Sequence, residues 1–428
     1  MQNHHYPRLG EQVLRKKLPN GLTVAVVPRP GFTKKLCYFV TDFGAIHTDF
    51  TLDGVHYQVP AGIAHYLEHK LFDMPGRDVT AEFAAYGAIP NAFTSYDMTA
   101  YYFSCTESFE SCLRLLLEFV STPYFTEETV QKEQGIIGQE IDMNRDNPDT
   151  QIFEMLMENM YEKHPIKVPI LGHRETIAQI TPETLTACHK AFYRPDNMLL
   201  CVVGDVEAEA VTAIAQEVLG DPVQPPVTRI RSWEEDMTCP TDYAEKAMDV
   251  AMPTFHLGFK CEAFQPGEEA VHREITAELA AEALFGESSA LYQKLYEEAL
   301  IDTSFGGGFE TIDGMALFTA SGDSNDPKAV TEAILEKAAE LANTGIEEKD
   351  FLRMKRSALG RRIRSLDSFE ATCFRLCAYH FSHFDYFRFP EIYAAITPAD
   401  VQAFLAHAIT RDNMSLAVLY PNTQEALS

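Results

Sequence analysis

The sequence predicts an α+β chain built as two similar domains, each a sheet packed with helices. Three observations predict it. Short apolar runs of strand length alternate with longer amphipathic runs of helical period. These runs follow a similar order before and after a Pro-rich stretch near the middle of the chain. Hydrophobic residues make up 46% of the 428, enough for more than one real core and too many for a disordered chain.

The first half opens on a turn at Asn20-Gly21 and a strand after it. Residues 34–45 read as a second strand. Residues 59–72, VPAGIAHYLEHKLF, read as a helix, and residues 79–88 as another that ends at Gly87. Residues 91–105 read as two short strands joined by the polar turn Ser95-Tyr96-Asp97. Residues 107–122 place Leu113, Leu116, Leu117 and Val120 at helical spacing. Residues 126–146 form a further helix, with Glu127 and Glu128 suiting the positive helix start. Met198 to Val206 is a buried strand closed by Gly204-Asp205. The stretch from Gly220 to Pro240 reads as an extended linker. Domains are therefore expected at 1–220 and 241–428, with a linker at 221–240. In the second half, residues 248–261 read as one strand and residues 273–300 as helix broken near Gly286. Residues 305–322 read as two strands. Helices follow from Asp326 to Gly345 and from Glu347 through Phe384, and Ser415 to Tyr420 is the final strand.

The formal charge is −28. Such a chain is not a general nucleic-acid binder, because phosphate contacts need clustered Lys and Arg. The acidity first serves solubility, and an acidic interior would steer basic peptides. No apolar stretch reaches the length of a membrane span, and the first residues, MQNHHYPRLGEQ, carry no apolar leader. There are nine cysteines and no C-x-x-C pair, a usage that suits free thiols in a reducing cytoplasm rather than a zinc ribbon.

The chemistry is concentrated in His65-Tyr66-Leu67-Glu68-His69. On a helix, positions i and i+4 share a face, so His65 and His69 can present two imidazoles to one point with Glu68 beside them. The order H-x-x-E-H is the inverted form of the zinc-peptidase motif. A catalytic zinc takes three protein ligands and keeps one position for water. The helix from Glu127 offers Glu133 and Glu140, two turns apart and able to face the same way. Glu140, beside the apolar face of Val130, Ile136, Ile137 and Ile141, is the choice for third ligand, with Glu133 orienting a histidine or the water. On residues alone this choice stays open against two ordinary glutamates of an acidic helix. Glu68 would take a proton from the metal-activated water and pass it to the leaving amine.

The chain resembles the inverzincin metallopeptidases of the pitrilysin, insulysin and mitochondrial processing peptidase family, bacterial processing-type members in particular. The matching stretches, in order, are LPNGLTV, GIAHYLEHKLF, NAFTSYDMTAYYF, EQGIIGQEIDM, HPIKVPILG, MLLCVVGDV, FGESSALYQKLYEEALID and DFLRMKRSALGRRIRS. The resemblance implies mostly antiparallel sheets and a chain that forms one half of a peptidase chamber. It implies one zinc ion per chain held by His65, His69 and Glu140, with Glu68 as base and Glu133 assisting. It implies an edge strand at Asn91-Ala92-Phe93 that pairs with extended substrate, a mode that selects short or unfolded peptides. A half-chamber needs a second copy or a related subunit, so a homodimer or heterodimer is expected. The rival expectation is a non-catalytic or structural partner subunit of such a peptidase.

Overall fold

The computed structural model describes residues 1–222, 224–231 and 233–422. Seven strands form the first sheet: β1 (Gln2–Tyr6), β2 (Glu11–Lys17), β3 (Thr23–Pro28), β4 (Lys35–Thr41), β5 (Ile89–Thr94), β6 (Thr99–Cys105) and β7 (Met198–Gly204). Their order is β1-β2-β3-β7-β4-β6-β5. Five strands form the second sheet: β8 (Tyr243–Met248), β9 (Thr254–Cys261), β10 (Gly306–Ile312), β11 (Met315–Asp323) and β12 (Met414–Pro421), in the order β8-β12-β9-β11-β10. The repeat expected from pattern is explicit here. β3-β7-β4-β6-β5 and β8-β12-β9-β11-β10 share strand order, and in each the first pair is parallel and the rest antiparallel.

β4 and β7 are apolar almost throughout because the sheet is covered on both faces. On one face, helix α1 (Ile63–Leu71) and the helix Phe109–Ser121 share a core with Val26, Phe39, Leu200 and Val202. The helix α2 (Glu127–Arg145) adds Val130, Ile137 and Ile141 to that core. The other face of β4 and β7 is packed by a helix from the second half of the sequence, α4 (Phe369–Phe381). The mirror case holds in the second sheet, where α3 (Pro148–Met160), from the first half, packs on β12, β9 and β8. A Cβ on Gly258 of β9 would stand 2.6 Å from Met160 Sδ, so the glycine permits this close helix approach. The chain accordingly divides into interleaved compact units, Met1–Ile141 with Pro169–Ser232 and Ile363–Arg388, and Asp142–Val168 with Trp233–Arg362 and Phe389–Ser428. The sequence reading, by contrast, drew one boundary along the chain.

Several elements differ from expectation. The strand expected over 248–261 is two strands, and residues 249–253 between them include Pro253, which cannot donate to a ladder. The helix expected through Phe384 breaks at 365–367, and Ser368 caps a new helix by accepting from Ala371 N at 3.1 Å. Within the Pro-rich stretch, Val227–Arg229 is a strand paired antiparallel with Asp49–Leu52, so that part is not a free linker. Among the described residues, no helix is long and apolar enough to cross a membrane. All nine cysteines are free, and all but Cys239 are buried.

Burial leaves a pH signature. His189 is packed flat on Tyr193 and donates from Nε2 to the Val120 carbonyl at 2.9 Å. Burial holds its pKa at about 4, below the ordinary 6.5. The folded state thus keeps a neutral ring. Above about pH 6.5 both folded and unfolded rings are neutral and the stabilisation is complete. Between about 6.5 and 4 the unfolded chain binds a proton that the folded chain refuses, so stability falls as pH falls, by about 1.4 kcal/mol per unit. His189→Gln is expected to flatten this acid slope, measured as the drop in urea midpoint between pH 7 and pH 5.

Candidate metal centre

α1 starts at Gly62, whose φ of +90° admits no ordinary side chain without strain, and a Cβ there would stand 2.4 Å from the Leu171 carbonyl oxygen. Every residue of α1 is buried except His69. A helix buried nearly all round should be apolar all round. This one instead carries His65, Glu68, His69 and Lys70. Burying such groups costs free energy unless each is paired or used. Lys70 is paired with Asp73. The other three converge on one place.

Glu140 lies across from α1 and reaches both imidazoles. Its Oε1 is 3.6 Å from His65 Nε2 and its Oε2 is 3.5 Å from His69 Nε2. The two rings are 4.6 Å apart between centroids. Ligand atoms at the corners of a zinc tetrahedron with bonds near 2.1 Å lie about 3.4 Å apart. The observed separations fit that figure, so the donor set suits a zinc-sized ion. Among the described residues, His65, His69 and Glu140 are the one group of three or more His, Cys, Asp or Glu side chains drawn together tightly enough to hold a metal.

The neighbours prepare these donors. Glu133 Oε1 accepts from His69 Nδ1 at 3.0 Å, which leaves the lone pair of His69 on Nε2, toward Glu140. Tyr66 donates to the Val130 carbonyl and so ties α1 to α2, the helix that carries both glutamates. Burial, and then His69, hold the pKa of His65 at about 3, so its ring is a neutral donor. At His69, burial opposes a positive charge, but Glu133, Glu140 and Glu68 outweigh it and raise the pKa. The field that favours a proton there would also favour a divalent cation.

Glu68 is one turn from His65 and lies beside the group His65, His69 and Glu140 without being part of it. It is 9% exposed, and its Oε2 accepts from Thr94 Oγ1 at 2.6 Å. Burial raises its pKa, with Glu140 adding to the effect and Thr94 and His69 opposing it. A carboxylate raised toward neutrality is a stronger base. Thr94 was missed in the sequence. Its signal was alternation along β5, which puts residues 92 and 94 on one face of the strand and 91 and 93 on the other.

Asn91, Ala92 and Phe93 lie on β5, one of the two edge strands of the first sheet, directly before Thr94. Asn91 is exposed. The Phe93 ring, however, faces Tyr102 at 6.3 Å and Phe374 of α4 at 6.0 Å, on the side of the sheet away from Glu68. Of the three, Ala92 shares the Thr94 side.

Residues 54–174 match the insulinase family, peptidase family M16, and residues 179–358 match the domain described as the peptidase M16 inactive domain. The chain is 38% identical over 429 aligned residues to the uncharacterized zinc protease YmfH of Bacillus subtilis, covering 98% of this chain and 99% of that protein. It is 27% identical to the beta subunit of the mitochondrial-processing peptidase of Caenorhabditis elegans over 48% of this chain and 44% of that protein. Among solved structures, a putative M16-like peptidase from Alicyclobacillus acidocaldarius superposes with a TM-score of 0.92 at 31% identity, covering 96% of this chain and 99% of the other. A protease from Helicobacter pylori shares the fold, with a TM-score of 0.80 at 18% identity over 96% of this chain and all of the other.

Proposed function

Because the chain belongs to the M16 peptidase family, we propose that it is a zinc-dependent endopeptidase for short or unfolded peptides. The observation that carries this reading is the placement of both His Nε2 atoms within 3.6 Å of Glu140 oxygens, beside the buried Glu68 carboxylate, whose Oε2 accepts from Thr94. A zinc ion held by His65, His69 and Glu140 would supply Lewis acidity to a water molecule and to the scissile carbonyl. Glu68 takes the proton of that water as its oxygen adds to the carbonyl carbon, and returns it to the nitrogen as the C–N bond breaks. Thr94 holds one oxygen of Glu68 and leaves the other for the water. Glu133 keeps His69 in the tautomer that offers Nε2. The free side of β5 offers backbone N–H and C=O groups to an extended peptide and none to a folded one.

The test is a quenched peptide library with and without a chelator. Cleavage is expected, with loss on chelation and return on adding zinc. A zinc-loaded chain that cleaves nothing would favour the second reading, a non-catalytic partner subunit. The inactive-domain match over residues 179–358 is what keeps that reading in view. We also propose that the chain works paired with a second copy or a related subunit, as one relative is named a subunit. Full activity at a monomer mass in gel filtration would overturn the pairing.

A further inference from the structure

β5 is an edge strand without a charge, reading Ile-Pro-Asn-Ala-Phe-Thr over residues 89–94. Edge strands that pair with nothing are blunted by charge, proline, bulges or cover. Pro90 is the one such device in this run, and around it the strand exposes apolar surface. Ile89 is 71% exposed, and beside the strand Phe374 of α4 is 39% exposed. We propose that Ile89 and Phe374 form an apolar shelf that selects extended peptides with two large apolar side chains four positions apart. The proposal rests on the reading of β5 as the edge that takes the peptide.

The backbone dictates where those side chains fall. Ser95 N–H bonds to the Met98 carbonyl at 2.8 Å, and the ladder between β5 and β6 continues from Thr94 opposite Thr99 to Ile89 opposite Ser104. Bonding groups alternate along an antiparallel pair, so those of residues 91 and 93 meet β6 and those of 90, 92 and 94 turn to the free edge. Two observations agree. Pro90, which has no N–H to offer, sits at an outward position. Ala92 N–H is held by Asn91 Oδ1 at 2.9 Å, in the place that a peptide carbonyl would take. A peptide residue paired with Ala92 carries its side chain on the Thr94 side of the sheet. Its two neighbours carry theirs on the other side, opposite Asn91 and Phe93. The residues opposite Phe93 and Ile89 are then four apart in either strand direction, with the one opposite Asn91 between them.

The surface they meet is already ordered. Tyr38 and Tyr102 stack with centroids 4.5 Å apart, Phe93 stands 6.3 Å from Tyr102, and Phe374 ends the row 6.0 Å from Phe93. An apolar side chain opposite Phe93 would bury surface on that ring and on Phe374 beside it, and one opposite Ile89 would cover Ile89. Asn91 donates to the Tyr102 hydroxyl, so the middle position is polar. The alternative role for Phe374 is only to fasten α4 to the sheet.

Fluorescence anisotropy on the Glu68→Gln chain reads affinity without turnover. The probes are a labelled extended peptide with Phe and Leu four positions apart and its twin with Gln at both. The apolar peptide is expected to bind about tenfold tighter or more. Phe374→Ser and Ile89→Thr, each added to that chain, are expected to remove about threefold or more of the preference and to leave the affinity for the Gln twin unchanged. A merely structural role would weaken both peptides alike. Should Phe374→Ser unfold the chain, Ile89→Thr at its exposed position carries the comparison. Equal affinity for the two peptides, no saturable binding, or a preference that survives the substitutions would overturn the shelf. Cleavage by the parent chain is read separately. A chain that binds with this preference and cuts nothing keeps the shelf and loses the peptidase reading, and a chain that cuts peptides without the preference does the reverse.

Discussion

Glu68→Gln is expected to leave the chain loaded with metal and about 10²- to 10⁴-fold lower in kcat/KM on an unstructured peptide. The substitution keeps the shape, and its amide oxygen can still accept from Thr94 Oγ1 at the 2.6 Å position now used by the carboxylate. The three proposed ligand residues, His65, His69 and Glu140, are untouched. What is lost is the ability to take a proton. Metal content by mass spectrometry and kcat/KM on a quenched peptide separate the two effects. Loss of both metal and activity would make Glu68 a structural support of the site. Retention of both would remove Glu68 from the chemistry and require another group to take the proton.

The local elements were legible because their signals are local. The run 198–204 carries no charged or polar side chain because β7 is covered on both faces, and that shows in any window. The motif was legible because two imidazoles at i and i+4 share a face on any helix. Glu140 was chosen over Glu133 in the sequence without a contact to support the choice, since spacing along α2 cannot say which carboxylate meets α1. That choice depends on how Tyr66 and Val130 join the helices, a contact between residues 64 positions apart. Non-local pairing hid the rest. Nothing near residue 228 announces that it pairs with Thr51, and nothing near Phe374 announces that its helix covers β4 and β7. β1 and β2 were not predicted either. They are half-exposed and mixed in composition, and they become strands by pairing onto β3.

The two glutamates of α2 are distinguished by how much metal each substitution loses. Glu140→Gln is expected to reduce zinc affinity further than Glu133→Gln does, measured by competition with a chromophoric chelator. Glu140 places one oxygen toward each histidine, at 3.6 and 3.5 Å, so the substitution would weaken the proposed third ligand and remove its charge. Glu133 acts through His69 at 3.0 Å. A glutamine there still accepts from Nδ1, so the ring keeps its tautomer and only the charge behind it goes. Removing such a supporting partner costs roughly 10- to 100-fold in affinity. Because both variants are near-isosteric on the same helix, a general loss of folding would lower both alike. The order of the two affinities therefore reports the roles themselves. If Glu133→Gln proves the more damaging, the third ligand is Glu133, and α2 must then present a different face to α1 when the metal is bound than the one seen between Tyr66 and Val130.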